Sequence, residues 1–255
     1  MSATAASVHP TPTHSYSPKI LRLVAACFFL SGATGLIYEV LWARMLGLVF
    51  GGTTLAVSTV LAAFMGGLAL GSALAGRSGG QVKRPVRAYG LLEIGIAVYA
   101  LAVPFLFSLV DNLYAVIWQQ FHPGFFVFSI WRFFLSCLML LVPTTLMGAT
   151  LPLLSAALLR SAGPTSTSLT KLYTRNLAGA IFGCIIAGFI LLPVLGVRLT
   201  IYTAAAINVL IGVVSILAER HIDARAIAHE DSSPAAADQQ PVNPPTDTSF
   251  WLVCA

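Results

Sequence analysis

The chain has 255 residues, of which 57% are hydrophobic and only 9% charged, with a formal net charge of +5. A soluble domain carries roughly 25% charged residues, so this composition excludes one. A mean hydropathy of +0.86 and apolar runs of about twenty residues predict a polytopic, all-α transmembrane bundle in contact with the lipid bilayer. The basic residues are spread over several loops, which argues for a role in topology and against nucleic acid as a partner.

Residues 1–18 are polar and rich in Pro, Ser, Thr and His, and read as a disordered tail. Val24-Ala25-Ala26-Cys27 looks like a lipoprotein cleavage box, but Arg22 interrupts the apolar core that a signal peptide needs. An uncleaved first helix over 20–41 is expected instead. It holds Glu39 at membrane depth, with Gly32 and Gly35 seven and four residues before it on the same helical face. A carboxylate in an apolar run costs several kcal/mol unless it is paired or wetted. Glu39 and Arg44 are five residues apart, about 140° around an ideal helix, so a straight intrahelical pair is not expected.

Gly51-Gly52 marks a turn, and a second helix is expected over 53–75. Its Ala63, Gly67, Gly71 and Ala75 fall four apart and form a small-residue stripe. A basic loop over 77–87 precedes a third helix, 88–109, with Glu93 on a face shared with Gly90, Ala97 and Ala100. Residues 111–123 read as a connector whose Tyr114, Trp118 and His122 suit a membrane interface. The fourth stretch, 125–159, contains LVPTTLMGATLPLL. Pro143 and Pro152 predict a kinked or broken helix there, with Thr144, Thr145, Thr150 or water satisfying the freed carbonyls.

A fifth helix is expected over 171–195, with Arg175 and Asn176 in its first turns and the small stripe Gly179, Gly183 and Ala187. A sixth is expected over 199–217, where Asn208 is the only strongly polar residue. The transmembrane domain thus covers 19–218. A polar linker or tail follows at 219–249, and FWLVCA at 250–255 reads as the start of a further apolar segment. The stripes on helices two and five offer more close-packing faces than six helices need among themselves, which points to a partner. Cys27, Cys137, Cys184 and Cys254 lie in apolar runs without metal-ligand spacing. They read as buried small hydrophobes, and no metal or other cofactor is expected.

With six spans, Lys19, Arg22, Arg77, Lys83, Arg84, Arg87, Arg160, Lys171, Arg175, Arg220 and Arg225 fall on one side, and Arg44, Arg132 and Arg198 on the other. The positive-inside rule then places both ends in the cytoplasm, with the chain in the inner membrane. The residues expected to face an internal cavity are Tyr38, Glu39, Arg44, Glu93, Thr144, Thr145, Arg175 and Asn176. The structural alternative pairs Glu39 with Arg44 or another helix, and Glu93 with Arg175.

SGATGLIYEVLWARMLGLVFGGTTLAVSTVLAAFMGGLALGSALAGR (31–77), LLEIGIAVYAL (91–101), LVPTTLMGATLPLL (141–154) and YTRNLAGAIFGCIIAGFILLPVLG (173–196) resemble the membrane domain of fused spermidine-synthase-like proteins. The resemblance covers about 19–217 and implies a bacterial, transporter-like region similar to half of a major-facilitator transporter. GSALAGRSGGQVKR is similar to the loop between helices two and three of those transporters, although the usual Asp position there matches Gly76. Members of the family often carry a soluble aminopropyltransferase domain or a second membrane repeat. No Gly-rich nucleotide loop on a strand and no acidic cluster for a polyamine is found here, so no catalytic residue carries over.

The resemblance implies a membrane module that anchors a partner or passes small molecules to it, the partner being a second membrane half, a soluble synthase domain or another copy. The alternative is half of a transporter for a small molecule or a cation such as a polyamine. No HExxH, GxSxG or His/Cys cluster supports an intramembrane enzyme, and no aminopropyltransferase activity is expected of this chain alone.

Overall fold

The computed structural model describes residues 18–50, 54–78, 81–121, 125–162 and 166–232. Its helices are α1 (Pro18–Phe50), α2 (Thr54–Ser78), α3 (Pro85–Phe121), α4 (Phe125–Ala162), α5 (Ser166–Ile186) and α6 (Leu192–Ser232), with a π-helical turn at Ala187–Leu191 between the last two. No strand occurs among the described residues. The expectations for 1–17, Gly51-Gly52, His122-Pro123, 233–249, Cys254 and FWLVCA lie outside the described residues. Residues 1–220 form one compact unit, and 221–255 form a second, described only as the end of α6.

Among the described residues, five stretches are long and apolar enough to cross a membrane: Lys19–Leu48, Val57–Arg77, Pro85–Val110, Phe133–Leu158 and Leu169–His221. The chain is therefore an all-helical, multi-pass membrane protein. Large apolar side chains such as Phe105, Leu138, Phe189 and Val194 stand exposed on its outer surface, as acyl-chain contact requires.

The last stretch merges what the sequence divides into a fifth and a sixth helix. Its 53 residues would reach about 80 Å as one straight helix, far beyond a hydrocarbon core of about 30 Å. It is not straight. Leu192 donates its N–H to the Ala187 carbonyl in the π turn, one residue before Pro193, whose ring would crowd a tighter turn and which has no N–H of its own. Gly196 then adopts φ 70, ψ 179, a conformation open essentially to glycine alone.

Contact registers give the helix directions. A Cβ at Gly179 would meet the Phe29 carbonyl and one at Gly183 the Ala33 carbonyl, so α1 and α5 run parallel. Ser31 meets Glu93 and Phe28 meets Tyr89, so α1 and α3 are parallel too. Arg87 meets Glu219 and Gly90 meets Gly212, so α6 opposes α3. The chain therefore reverses direction between α5 and the body of α6.

Both small-residue stripes are used up in this packing. Gly67 and Gly71 lie against Thr144 and Thr145 of α4, and Gly148 of α4 lies against Leu68. Gly179 and Gly183 receive α1. Filled within the chain in this way, the stripes offer no excess packing face and do not point to a partner. The core gathers Tyr38, Leu41, Trp42 and Leu46 of α1 with Val60 and Phe64 of α2, Ile96, Ala100 and Val103 of α3, Leu140 of α4, and Ile201 and Ala204 of α6.

Several helix limits differ from the sequence expectations: α1 runs to Phe50, past the expected end at 41, and α5 ends at Ile186, short of 195. Helix α3 continues into the expected connector as far as Phe121, because residues 111–121 contain neither Gly nor Pro. Helix α6 continues to Ser232 through AERHIDARAIAHEDS, which is polar but rich in good helix formers. Helix α4 runs unbroken through Pro143 and Pro152. Pro143 deprives the Met139 carbonyl of its intrahelical donor, and the Tyr99 hydroxyl of α3 donates to that carbonyl at 2.9 Å. The Thr144 hydroxyl donates to Leu140 at 2.7 Å and Thr145 to Leu141 at 2.6 Å, so these threonines bond neighbouring carbonyls, not the freed one.

Two outcomes follow from this backbone accounting. Gly196→Ala is expected to lower stability by about 1–3 kcal/mol in thermal unfolding in detergent, because alanine is strained at that φ and ψ. Tyr99→Phe is expected to cost about 1 kcal/mol. That cost should shrink in a Pro143→Ala background, where residue 143 regains an N–H; a double-mutant cycle without coupling would contradict the assignment.

Candidate functional site

Helix α3 buries the face carrying Tyr89, Glu93, Ile96, Ala97 and Ala100 and exposes Leu91, Val98 and Leu101 on the other side. Glu93 is 0% exposed. Ser31 of α1 donates its hydroxyl to Glu93 Oε1 at 2.5 Å, and the Thr34 hydroxyl donates to the Ser31 carbonyl at 3.0 Å. Tyr89, one turn before Glu93, packs edge-on against Phe28 with ring centroids 6.3 Å apart. Its hydroxyl lies beside Ser31 and Glu93 without the geometry of a hydrogen bond.

Other polar groups close around this carboxyl. Cys27, one turn before Ser31, lies beside Ser215 of α6 and within electrostatic reach of Glu93. Tyr38, stacked on Trp42 at 5.5 Å and 12°, is also within reach of Glu93. Glu93 Oε2, the Tyr38 and Tyr89 hydroxyls, Ser215 Oγ and Asn208 Oδ1 are buried without a hydrogen-bond partner. Unsatisfied buried polar atoms are rare in folded proteins, and those of Glu93, Tyr38 and Tyr89, gathered on one carboxyl, call for a reason. Between α3 and α6, Glu219 accepts a hydrogen bond from the Arg87 backbone N–H at 3.2 Å, satisfying a donor in the first turn of α3.

Of the cavity residues expected from sequence, the structure brings only Tyr38 and Glu93 together. Glu39 is half-buried and Arg44 exposed, and no hydrogen bond or ion pair joins them. Arg175 is exposed and lines a surface groove with Arg22, so the suggested Glu93–Arg175 pair is not made; Ser31 takes that place. Asn176 donates to the Phe28 carbonyl at 2.9 Å and lies against Gly32, joining α1 to α5. Thr144 is buried between α4 and α2, with the Ala63 carbonyl 3.3 Å from its hydroxyl, and Thr145 is half-buried beside Gly71. These are helix-packing positions. Cys27 is buried as expected, whereas Cys184 stands exposed.

Sequence reasoning missed Ser31, Tyr89 and Cys27 as neighbours of Glu93, and Ser215 beside Cys27. One signal was present: Asn208, Gly212, Ser215 and Glu219 recur at intervals of four, three and four, a small and polar helical face. That face packs on α3, where Gly90 and Gly212 meet backbone to backbone.

No protein-family model, no curated protein and no solved structure matches this chain.

Ser31→Ala is expected to cost about 1–3 kcal/mol in thermal unfolding, because it leaves Glu93 Oε1 buried without a donor. Glu93→Gln keeps that acceptor and should cost less. Thr203→Ala, at an exposed hydroxyl on α6, serves as the neutral comparison.

Proposed function

We propose that this chain is a six-span inner-membrane module of transporter type, which binds a proton at Glu93 and passes small cations to or from a partner. Its partner is a second membrane half, another copy or a soluble synthase domain, as the resemblance to spermidine-synthase-like membrane domains implies. One observation carries the reading. Glu93 is wholly buried, keeps one oxygen without a partner, and has no cation acting on it among the described residues.

A carboxyl group kept only for structure inside a membrane has partners for both its oxygens, since an unsatisfied one is costly. A passive anchor would be served better by leucine at this position. Glu93 lines neither the groove beside Arg198 nor the one beside Arg22, and a proton is the cargo that needs no preformed cavity there. The six crossings follow if Leu169–His221 turns at Gly196, as the opposed directions of α5 and α6 support. Eleven of the fourteen Lys and Arg then share one side, which the positive-inside rule assigns to the cytoplasm.

The test is the chain reconstituted in vesicles, with infrared difference spectroscopy across a pH step and spermidine uptake under a pH gradient. The expected result is a protonated-carboxyl band that Glu93→Gln removes, together with at least a tenfold loss of uptake and retained helical content. Uptake unchanged in Glu93→Gln, or no carboxyl band from Glu93, would overturn the proposal.

A further inference from the structure

We propose that the groove between the N-terminal ends of α1 and α5 binds one anionic phospholipid, its phosphate held by Arg22 and Arg175 and an acyl chain lying over Ala25, Ala26, Phe29 and Leu30. These six residues line a groove of about 570 Å³. The site does not include Glu93 and stands independently of the function proposed for it.

The groove exists because two parallel helices begin at one end of the molecule. Phe29 is level with Gly179 and Ala33 with Gly183, and Asn176 ties the pair through the Phe28 carbonyl. In that register Arg22 is level with Leu172, and Arg175 lies three residues deeper, about 4.5 Å along the axis. Arg22 is three residues into the apolar span Lys19–Leu48, and Arg175 is six into Leu169–His221. Both are therefore close to the membrane surface, where a guanidinium reaches headgroups while its stem stays among apolar groups.

Charge selects the occupant. Arg22 and Arg175 are exposed, and neither forms an ion pair among the described residues. Lys19 and Lys171, each about one turn nearer the helix start, are exposed as well. No Asp or Glu occurs in α5 or in the first six turns of α1 before Glu39. Two guanidiniums suit the oxygens of one phosphodiester, whereas a zwitterionic headgroup would bring its own cation against the neighbouring lysines. Below the arginines the groove is apolar, with alanines as its floor and Phe29 and Leu30 beside them. A free phosphate would leave that part uncovered, so the fitting ligand is a lipid.

Native mass spectrometry of the full chain in mild detergent, titrated with phosphatidylglycerol, phosphatidylcholine or inorganic phosphate, tests this. One phosphatidylglycerol should be retained, phosphatidylcholine should bind at least tenfold more weakly, and phosphate should not displace the lipid. Arg22→Gln with Arg175→Gln should weaken binding by about thirtyfold. Arg77→Gln with Arg220→Gln, the same change of charge at exposed positions outside the groove, should leave binding unchanged. Ala26→Trp fills the groove, keeps both arginines and should abolish retention, with helical circular dichroism checking the fold of each variant. Equal binding of phosphatidylcholine, wild-type binding by Ala26→Trp, or equal weakening in the control pair would each refute the site and leave only general annular attraction.

Discussion

Close approach of backbones at glycine is the constraint on which this bundle depends. Lipid tails are as apolar as leucine, so no hydrophobic force draws helices together within the bilayer, and packing contacts must do so. Helices α2 and α4 meet through Gly67, Gly71 and Gly148, α1 and α5 through Gly179 and Gly183, and α3 and α6 through Gly90 and Gly212. A Cβ at Gly90 would stand 2.7 Å from the Gly212 carbonyl oxygen and 3.2 Å from Ser215 Cβ. Any side chain there would push α6 off α3 and separate Ser215 from the Cys27 and Glu93 centre. The polar site is thus a consequence of glycine packing around it.

The second constraint is that every backbone polar group at membrane depth needs a partner inside the protein. Proline and glycine breaks survive here because side chains take over specific carbonyls. Tyr99 serves Met139 below Pro143, and the Thr200 hydroxyl donates to the Gly196 carbonyl at 2.6 Å, where the chain turns. The two breaks differ in consequence. At Pro143 a neighbouring helix supplies the donor and α4 passes through intact. At Gly196 the glycine-only conformation redirects the chain, so that α6 lies antiparallel to α3 and can deliver Asn208, Ser215 and Glu219 to it.

How far the sequence led depended on whether the signal lay within one helix or between two. Apolar runs placed the helices, and the four-residue spacing of Ala63, Gly67, Gly71 and Ala75 marked a packing face. The partner of that face was not legible, because it depends on Thr144 and Thr145 of α4, more than seventy residues away in sequence. Helix ends failed where polarity was read as loop: AERHIDARAIAHEDS is polar yet strongly helix-forming. Pro143 gave a local warning of a break, and the remedy came from Tyr99 on another helix.

The two intramembrane carboxyl groups show the same divide most sharply. The same spacing rule assigns both to small-residue faces, and only one of them is central. On α1 the deepest face is that of Cys27, Ser31, Thr34 and Tyr38, all but Ser31 fully buried. Glu39 follows Tyr38 and so points about 100° away from it, which leaves it half-buried at the flank. Glu93 lies on the same face as Tyr89, Ile96 and Ala100 and reaches the core. A helical wheel measures angle only relative to its own helix. It places a carboxyl group inside a bundle only once the neighbours are known, and here Ser31 of α1 is that neighbour. Glu93 therefore has the surroundings of a site, whereas the spacing of Glu39 from Gly32 and Gly35 defines a face without saying what it meets.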